Sequence, residues 1–81
     1  MNAEIHMHDS VALLEDVPAT HFLTGEALVL RRGQVGTVVM DYDGSAFEIE
    51  FSGRDGRAYA VLPITAEKLM ALREYPEAVT V

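Results

Sequence analysis

The sequence predicts an all-β fold of five short strands in one domain. Residues 45–52 alternate between apolar and polar side chains, which is typical of a strand with one buried face. Turn sequences at 43–44 and 53–56 bound this strand on either side. The apolar run at 11–14 stops before Pro18, so a buried strand fits it better than a helix. Together these features favour a sheet built from antiparallel hairpins.

Length and composition indicate a small folded domain. The 81 residues supply apolar material for one core, and a chain of this size buries only about 60% of the surface that its unfolded form exposes. Hydrophobic residues make up 49% of the chain and charged residues 23%, which disfavours disorder. Because the core is small, we expect marginal stability unless the protein oligomerises.

The charge balance argues against nucleic-acid and membrane partners. The chain has 13 acidic and 6 basic residues, and its net charge of −7 repels phosphate backbones and anionic lipid. It has no cysteine, which excludes disulfides and thiolate metal ligands. The N-terminal residues lack the features of a signal peptide, and no apolar run approaches the roughly 20 residues that span a bilayer. We therefore expect a cytoplasmic protein.

The first part of the chain is predicted to contain one strand and one long connection. Residues 1–9 show no clear period and are interpreted as a flexible N-terminal tail. The first strand lies within residues 10–15. Residues 16–32 form an unusually long connection, so we expect it to fold back on itself, with residues 27–30 as a short strand or as an arm against a neighbouring subunit. The sequence leaves open whether residues 19–30 pack within one subunit or across two.

Four more strands are predicted in the rest of the chain. They cover residues 34–42, 45–52, 57–62 and 69–72. Pro63 ends the fourth strand, and Thr65 begins a one-turn helix before the fifth. Residues 10–72 are thus the predicted domain, and residues 73–81 a flexible C-terminal tail.

The turns fix which side chains share a face of the sheet. A two-residue turn at 43–44 places Met40 opposite Phe47. The same register places Val38 opposite Ile49, with all four side chains in the core. Leu69, Met70 and Leu72 are also predicted to be buried.

The opposite side of the sheet is the predicted interaction face. It combines apolar and aromatic side chains with two carboxylates, and a contiguous patch of this kind often marks an interface. The predicted face comprises Val35, Thr37, Val39, Glu48, Glu50, Tyr59 and Val61. The candidate loop contacts are Phe22, Leu28, Arg31 and Arg32. The two glutamates share one solvent-exposed environment, which disfavours a catalytic acid and base pair.

The remaining motifs favour no catalytic or metal site. The arginine doublet at 31–32 could bind an anion, but it lacks a helix N-terminus or a glycine-rich nest, so a solvated loop rim that offsets nearby acid is favoured. The segment 6–9 carries two histidines and one aspartate, yet its position in a tail disfavours a metal site. His21 has no serine or threonine nucleophile at a recognisable spacing. We predict no catalytic residue, no metal and no cofactor.

Several segments together resemble the bacterial Domain of Unknown Function 4926 family. They are residues 11–16, 32–39, 47–51, 55–60 and Leu69, within a region of resemblance that covers residues 10–72. The resemblance implies a small five-stranded SH3-like barrel, with a long loop after strand 1 and a one-turn helix before strand 5. Such a barrel is similar in shape to the barrel domain of the nitrile hydratase β subunit, and the predicted strand order agrees with it. The family supplies no catalytic residue.

The functional expectation is a non-enzymatic protein-interaction module that self-associates as a homodimer. One alternative is an immunity or antitoxin-type protein, or an accessory protein, that regulates a co-encoded partner. The resemblance implies this alternative because members of the family often lie beside other small genes. Another alternative is a barrel helper subunit of an enzyme, by analogy with nitrile hydratase. The expected partner is a protein, either a second copy or the product of an adjacent gene, and neither a nucleic acid nor a membrane.

Overall fold

The computed structural model describes residues 5–80. In this part of the chain, seven strands form two antiparallel sheets, and a single turn of 3₁₀ helix precedes the last strand. The strands are β1 (Ser10–Leu13), β2 (Val17–Thr20), β3 (Ala27–Leu30), β4 (Val35–Tyr42), β5 (Ala46–Ser52), β6 (Ala58–Thr65) and β7 (Leu69–Ala71), with the 3₁₀ turn at Ala66–Lys68. The predicted all-β class is confirmed. Residues 1–4 and 81, which belong to the predicted tails, lie outside the described residues.

The strands form one large sheet and one small one. The larger has the order β6-β5-β4-β1-β7, and the smaller consists of β2 and β3. Within residues 5–80 no strand pairing joins β6 to β7, so the larger sheet is not closed into a barrel. The predicted number of five strands is wrong because the long connection after β1 folds into a β-hairpin of its own.

The β2–β3 hairpin packs on the core of its own chain. Val17 lies opposite Leu30, and Leu30 is fully buried. The Phe22 N–H at the hairpin tip donates to the Tyr59 carbonyl of β6 (3.0 Å). A strand at 27–30 is one of the two alternatives that the sequence left open, but its partner strand was not predicted, since Pro18 lies in that partner. Proline is tolerated here because both strands of a two-stranded sheet are edge strands.

The β4–β5 hairpin contains a bulge that shifts its register by one residue. Val38 lies opposite Ile49 as predicted, but Met40 lies opposite Glu48, with the shift between Val38 and Met40. The turn spans three residues, and the Asp41 carboxylate accepts a hydrogen bond from the Gly44 N–H (2.7 Å). The prediction that Met40 is buried opposite Phe47 is therefore wrong, because it assumed a two-residue turn.

The β5–β6 hairpin continues further than predicted. Phe51 lies opposite Ala60, and the pairing runs on to Ala46 opposite Thr65. Pro63 does not end this strand, because β6 is at the edge of the sheet and a missing N–H there breaks no ladder.

One apolar core lies between the larger sheet and the hairpin. Its fully buried side chains are Val11, Leu13, Leu30, Val38, Phe47, Ile49 and Phe51. Leu69 is buried as predicted, whereas Met70 and Leu72 are exposed and were wrongly placed in the core. Ile5 is only 5% exposed and joins this core, so the described end of the predicted N-terminal tail packs against the sheet.

Candidate functional site

The larger sheet has a solvent-facing side that we call the outer face. Strand pairing places side chains from all five strands on it, because residues directly opposite each other share a face. Thr37, for example, lies opposite Glu50, which lies opposite Val61. The outer face includes Val35, Thr37, Val39, Met40, Glu48, Glu50, Val61, Met70 and Leu72, with the small Ser10 and Ala12 of β1 among them.

The outer face is unusually apolar for a surface facing water. The exposed fractions are 54% for Val35, 49% for Met40, 49% for Met70, 40% for Val61 and 38% for Leu72. Single exposed apolar residues are common on proteins, but a contiguous group of them is typical of a binding surface. Met40, Met70 and Leu72 were absent from the predicted interaction face because each was assigned to the core.

One end of the outer face is concave. A cavity of about 530 Å³ opens between Val35 on β4 and Leu72 after β7. The other lining residues are His8, Asp9, Ser10, Arg73 and Glu74. The cavity therefore offers apolar walls with charged groups of both signs at its rim, which suits one amphipathic side chain of a partner.

The carboxylates of the outer face lie between its apolar groups. Glu48 and Glu50 are both half-buried. The Tyr42 hydroxyl donates a hydrogen bond to Glu48 Oε1 (2.7 Å). This hydrogen bond raises the pKa of Tyr42, since deprotonation would remove the bond and place a second negative charge beside Glu48; desolvation and the charge of Glu48 act in the same direction.

Tyr59 does not lie with these glutamates. The register of β5 and β6 shifts beside it, since Phe51 faces Ala60 whereas Ser52 faces Ala58, and this bulge leaves Tyr59 without a cross-strand partner. Its ring packs against the core, and its hydroxyl accepts a hydrogen bond from Gln34 Nε2. Tyr59 therefore belongs to a second surface beside the β2–β3 hairpin.

This second surface is a groove that we call the hairpin groove. It has a volume of about 400 Å³. Its lining residues are His21, Leu28, Val29, Leu30, Gln34 and Tyr59. Of the predicted loop contacts, Leu28 lines this groove, and Phe22 is 53% exposed at the hairpin tip. Gln34 was missed because its role depends on a contact with Tyr59, which is distant in sequence.

His21 serves the hairpin as a structural group. Its Nδ1 accepts hydrogen bonds from the N–H groups of Leu23 (3.2 Å) and Thr24 (3.3 Å), which close the tip of the hairpin. Its ring stacks on Tyr59 with 6.3 Å between ring centroids. An Nδ1 that accepts these bonds carries no proton, so they require the imidazole tautomer with its proton on Nε2.

Both residues of the arginine doublet contact the carboxylate of Asp16. Asp16 Oδ1 accepts a hydrogen bond from the Arg32 N–H (2.7 Å) and lies 3.4 Å from the Nε of Arg31. The bond from the Arg32 N–H is the main cause that lowers the pKa of Asp16, and the charges of both arginines add to it, whereas desolvation opposes it. The two arginines thus form part of a loop rim that offsets nearby acid.

The described residues contain no group of three or more metal-ligating side chains. The segment 6–9 forms a tight turn in which the His6 N–H donates to Asp9 Oδ2 (2.8 Å). This hydrogen bond stabilises the turn and occupies one oxygen of the Asp9 carboxylate. Within residues 5–80, no helix is long enough and apolar enough to cross a membrane.

Comparison with known proteins identifies one family. The model of the family described as "Domain of unknown function (DUF4926)" matches residues 7–71. The chain belongs to the DUF4926 family. The match spans every strand from β1 to β7, so both sheets, and every named member of the outer face except Leu72, lie within the matched residues. No curated protein and no solved structure matches the chain significantly.

Proposed function

We propose that this DUF4926 domain is a non-enzymatic protein-interaction module and that the outer face is its binding surface. The observation that carries the proposal is the exposure of five large apolar side chains on one face around two carboxylates. Burying such a face against a partner removes apolar area from water, which is the main driving force for association. In this proposal the strand order corresponds to an open SH3-like arrangement, with the hairpin as its long first loop.

The charge of the surface defines the kind of partner. The chain carries a net charge of −7, and the outer face presents Glu48 and Glu50 along its strands, with Arg73 as a basic residue at the rim of the cavity at one end. A complementary partner presents lysine or arginine side chains within an apolar surface. A co-encoded protein whose basic site is covered by this face would fit this chemistry, and steering by charge would make the association rate fall with added salt.

Affinity measurements with the two proteins encoded by the flanking genes test the proposal. Val35→Ser and Val29→Ser form a matched pair, because Val35 is 54% exposed on the outer face and Val29 is 60% exposed on β3. Burial of a valine side chain is worth about 1.5 kcal/mol, so we expect Val35→Ser to weaken binding about tenfold and Val29→Ser to leave it unchanged.

A second pair of variants tests the charge of the surface. Glu50→Lys reverses a charge on the outer face, and Glu67→Lys makes the same change on the exposed 3₁₀ turn. We expect only Glu50→Lys to slow association and to reduce its dependence on salt. Equal effects of both substitutions, or no binding of either flanking protein at low salt, would count against the proposed function.

A further inference from the structure

One edge of β3 has backbone groups without partners among residues 5–80. In antiparallel pairing, residues opposite each other alternate between pairs that exchange hydrogen bonds and pairs that do not. The His21 N–H donates to the Glu26 carbonyl (2.8 Å), which fixes this alternation along the hairpin. Pro18, which has no N–H, then faces Val29 in a pair that exchanges no bond. The N–H and C=O groups of Ala27 and Val29 therefore point away from β2.

The chain after β3 continues the same alternation. The Arg32 N–H points to the β2 side and donates to Asp16 Oδ1 (2.7 Å). The Arg31 N–H points the other way and donates to Gln34 Oε1 (3.1 Å). The outer edge of β3 thus ends where the Gln34 side chain occupies it, which leaves Ala27 and Val29 as its open positions.

This edge lacks the features that usually protect exposed strands. Natural edge strands carry charged residues, prolines or bulges that prevent pairing with another chain. The four residues of β3 are all apolar, and its pairing with β2 is regular. Val29, in the middle of this edge, is 60% exposed and is therefore not covered by the rest of the chain.

We propose that the edge of β3 pairs with β3 of a second copy of the chain, antiparallel and around a two-fold axis. The sequence around the strand is self-complementary in charge. Glu26 precedes the apolar stretch, and Arg31 and Arg32 follow it. Antiparallel pairing brings the acidic end of one strand beside the basic end of the other, and the two-fold axis repeats this contact, so opposite charges meet twice.

The open groups select one register for this pairing. With Ala27 opposite Val29 of the second copy, each such pair exchanges both of its N–H···O=C bonds, and symmetry provides the pair twice. This register uses every open group and leaves the bond between the Arg31 N–H and Gln34 intact.

The same register places specific side chains together. Leu28 faces Leu28 of the second copy in a non-hydrogen-bonded pair, where side chains approach closely, next to the hairpin groove. Glu26 lies opposite Leu30 of the second copy, so Arg32, two residues further on, is its diagonal neighbour on the same side of the sheet. Diagonal neighbours are about 7–8 Å apart, which long charged side chains can span.

The product is a four-stranded sheet of order β2-β3-β3-β2 that joins the two copies. The outer face takes no part in it, so this dimer and the binding of a partner by the outer face are independent. The contact is smaller than a standard protein interface, so we expect a dissociation constant in the micromolar to millimolar range.

Sedimentation equilibrium of the full chain, from about 10 µM to about 1 mM, tests the dimer over the range expected for a small interface. Val29→Pro removes an N–H that points away from β2, so it breaks no hydrogen bond of the hairpin, whereas Val29→Ala keeps this N–H. We expect Val29→Ala to dimerise like the wild type within about threefold and Val29→Pro to weaken dimerisation at least tenfold. Far-UV circular dichroism of both variants verifies the fold.

Two charge-reversal variants, measured alone and as a mixture, give a second test. Recovery of the dimer in the mixture would also show that both variants are folded. Glu26→Arg alone places like charges together in its homodimer, and so does Arg32→Glu. We expect each variant alone to be monomeric at concentrations where the wild type is dimeric. In an equimolar mixture, the mixed dimer joins the two substituted positions at one end and keeps the native Glu26 and Arg32 pair at the other. Opposite charges then meet at both ends, so we expect the mixture to dimerise again.

Three outcomes would overturn the proposal. The first is a wild-type chain that stays monomeric throughout the concentration series. The second is a dimer that Val29→Pro leaves intact, since such a dimer would use another surface. The third is a mixture of the two charge variants that associates no better than either variant alone.

Discussion

Replacing Gly36 with alanine tests the packing of the two central strands. A Cβ atom at position 36 would lie 2.6 Å from Cγ2 of Ile49 and 2.9 Å from Cε1 of Phe51. Carbon atoms in contact prefer about 3.5–4.0 Å, so these side chains would have to move by about 1 Å. Both are fully buried, so neither side chain can relieve the overlap by moving into solvent. Only glycine therefore allows β4 to approach β5 this closely.

The cost of Gly36→Ala follows from this overlap. Overpacking of a core by one methyl group costs about 1–3 kcal/mol, and the reduced entropy of the unfolded chain returns about 0.4–1 kcal/mol of it. We expect a net loss of about 1–2 kcal/mol in the free energy of unfolding. For a domain of 81 residues this corresponds to a fall in Tm of about 4–16 °C.

Thermal unfolding followed by circular dichroism measures this change. Gly53→Ala is the matched control, because a Cβ there would meet only Oδ1 of Asp55, at 3.3 Å. We expect Gly53→Ala to stay within about 0.5 kcal/mol of the wild type. Equal stability of Gly36→Ala and Gly53→Ala would refute the register in which Gly36 packs against Ile49 and Phe51.

Three further predictions concern individual titrating or hydrogen-bonding groups. In an NMR titration the carboxyl of Asp16 should have a pKa below its ordinary value of 3.8; the stability from its contact with Arg32 is then present above that value and lost as the pH falls through the lowered pKa, whereas an unshifted pKa would refute the contact. Tyr42 should titrate above pH 10.0 and return towards that value in Glu48→Gln; its bond stabilises the fold below pH 10.0 and is lost as the pH rises further, and an unchanged pKa in the variant would contradict the bond. His21 should carry its proton on Nε2 at pH 8 in ¹⁵N NMR spectra, and a proton on Nδ1 would exclude the hydrogen bonds that close the hairpin tip.

The sequence predicted the strands that have a clear local pattern. The alternation of residues 45–52 identifies β5 and its buried face, because that pattern directly reflects which side chains leave water. Residues 27–30 were expected to be a short strand or an arm against a neighbouring subunit, and the strand is observed with these bounds. The family resemblance was confirmed by the match over residues 7–71.

The errors arose where tertiary structure overrides a local rule. Pro18 and Pro63 were taken as strand breakers, but both lie in strands where the missing N–H faces no partner. The bulge after Val38 depends on the geometry of the turn and on the packing of the core at the same time. It moves Met40 to the outer face. Tyr59 was assigned by strict alternation to the wrong surface, because a second bulge beside it cannot be recognised from the sequence.

Methyl NMR of the labelled domain, titrated with each protein encoded by the flanking genes, tests the central claim most directly. The methyl groups of Val35, Val61 and Met70 report on the outer face, and those of Leu28 and Val29 report on the hairpin edge. Binding by the outer face predicts chemical-shift changes at the first three that saturate with the partner, while the last two remain unchanged. Changes confined to Leu28 and Val29, or no change with either protein, would contradict the assignment of the outer face as the binding surface.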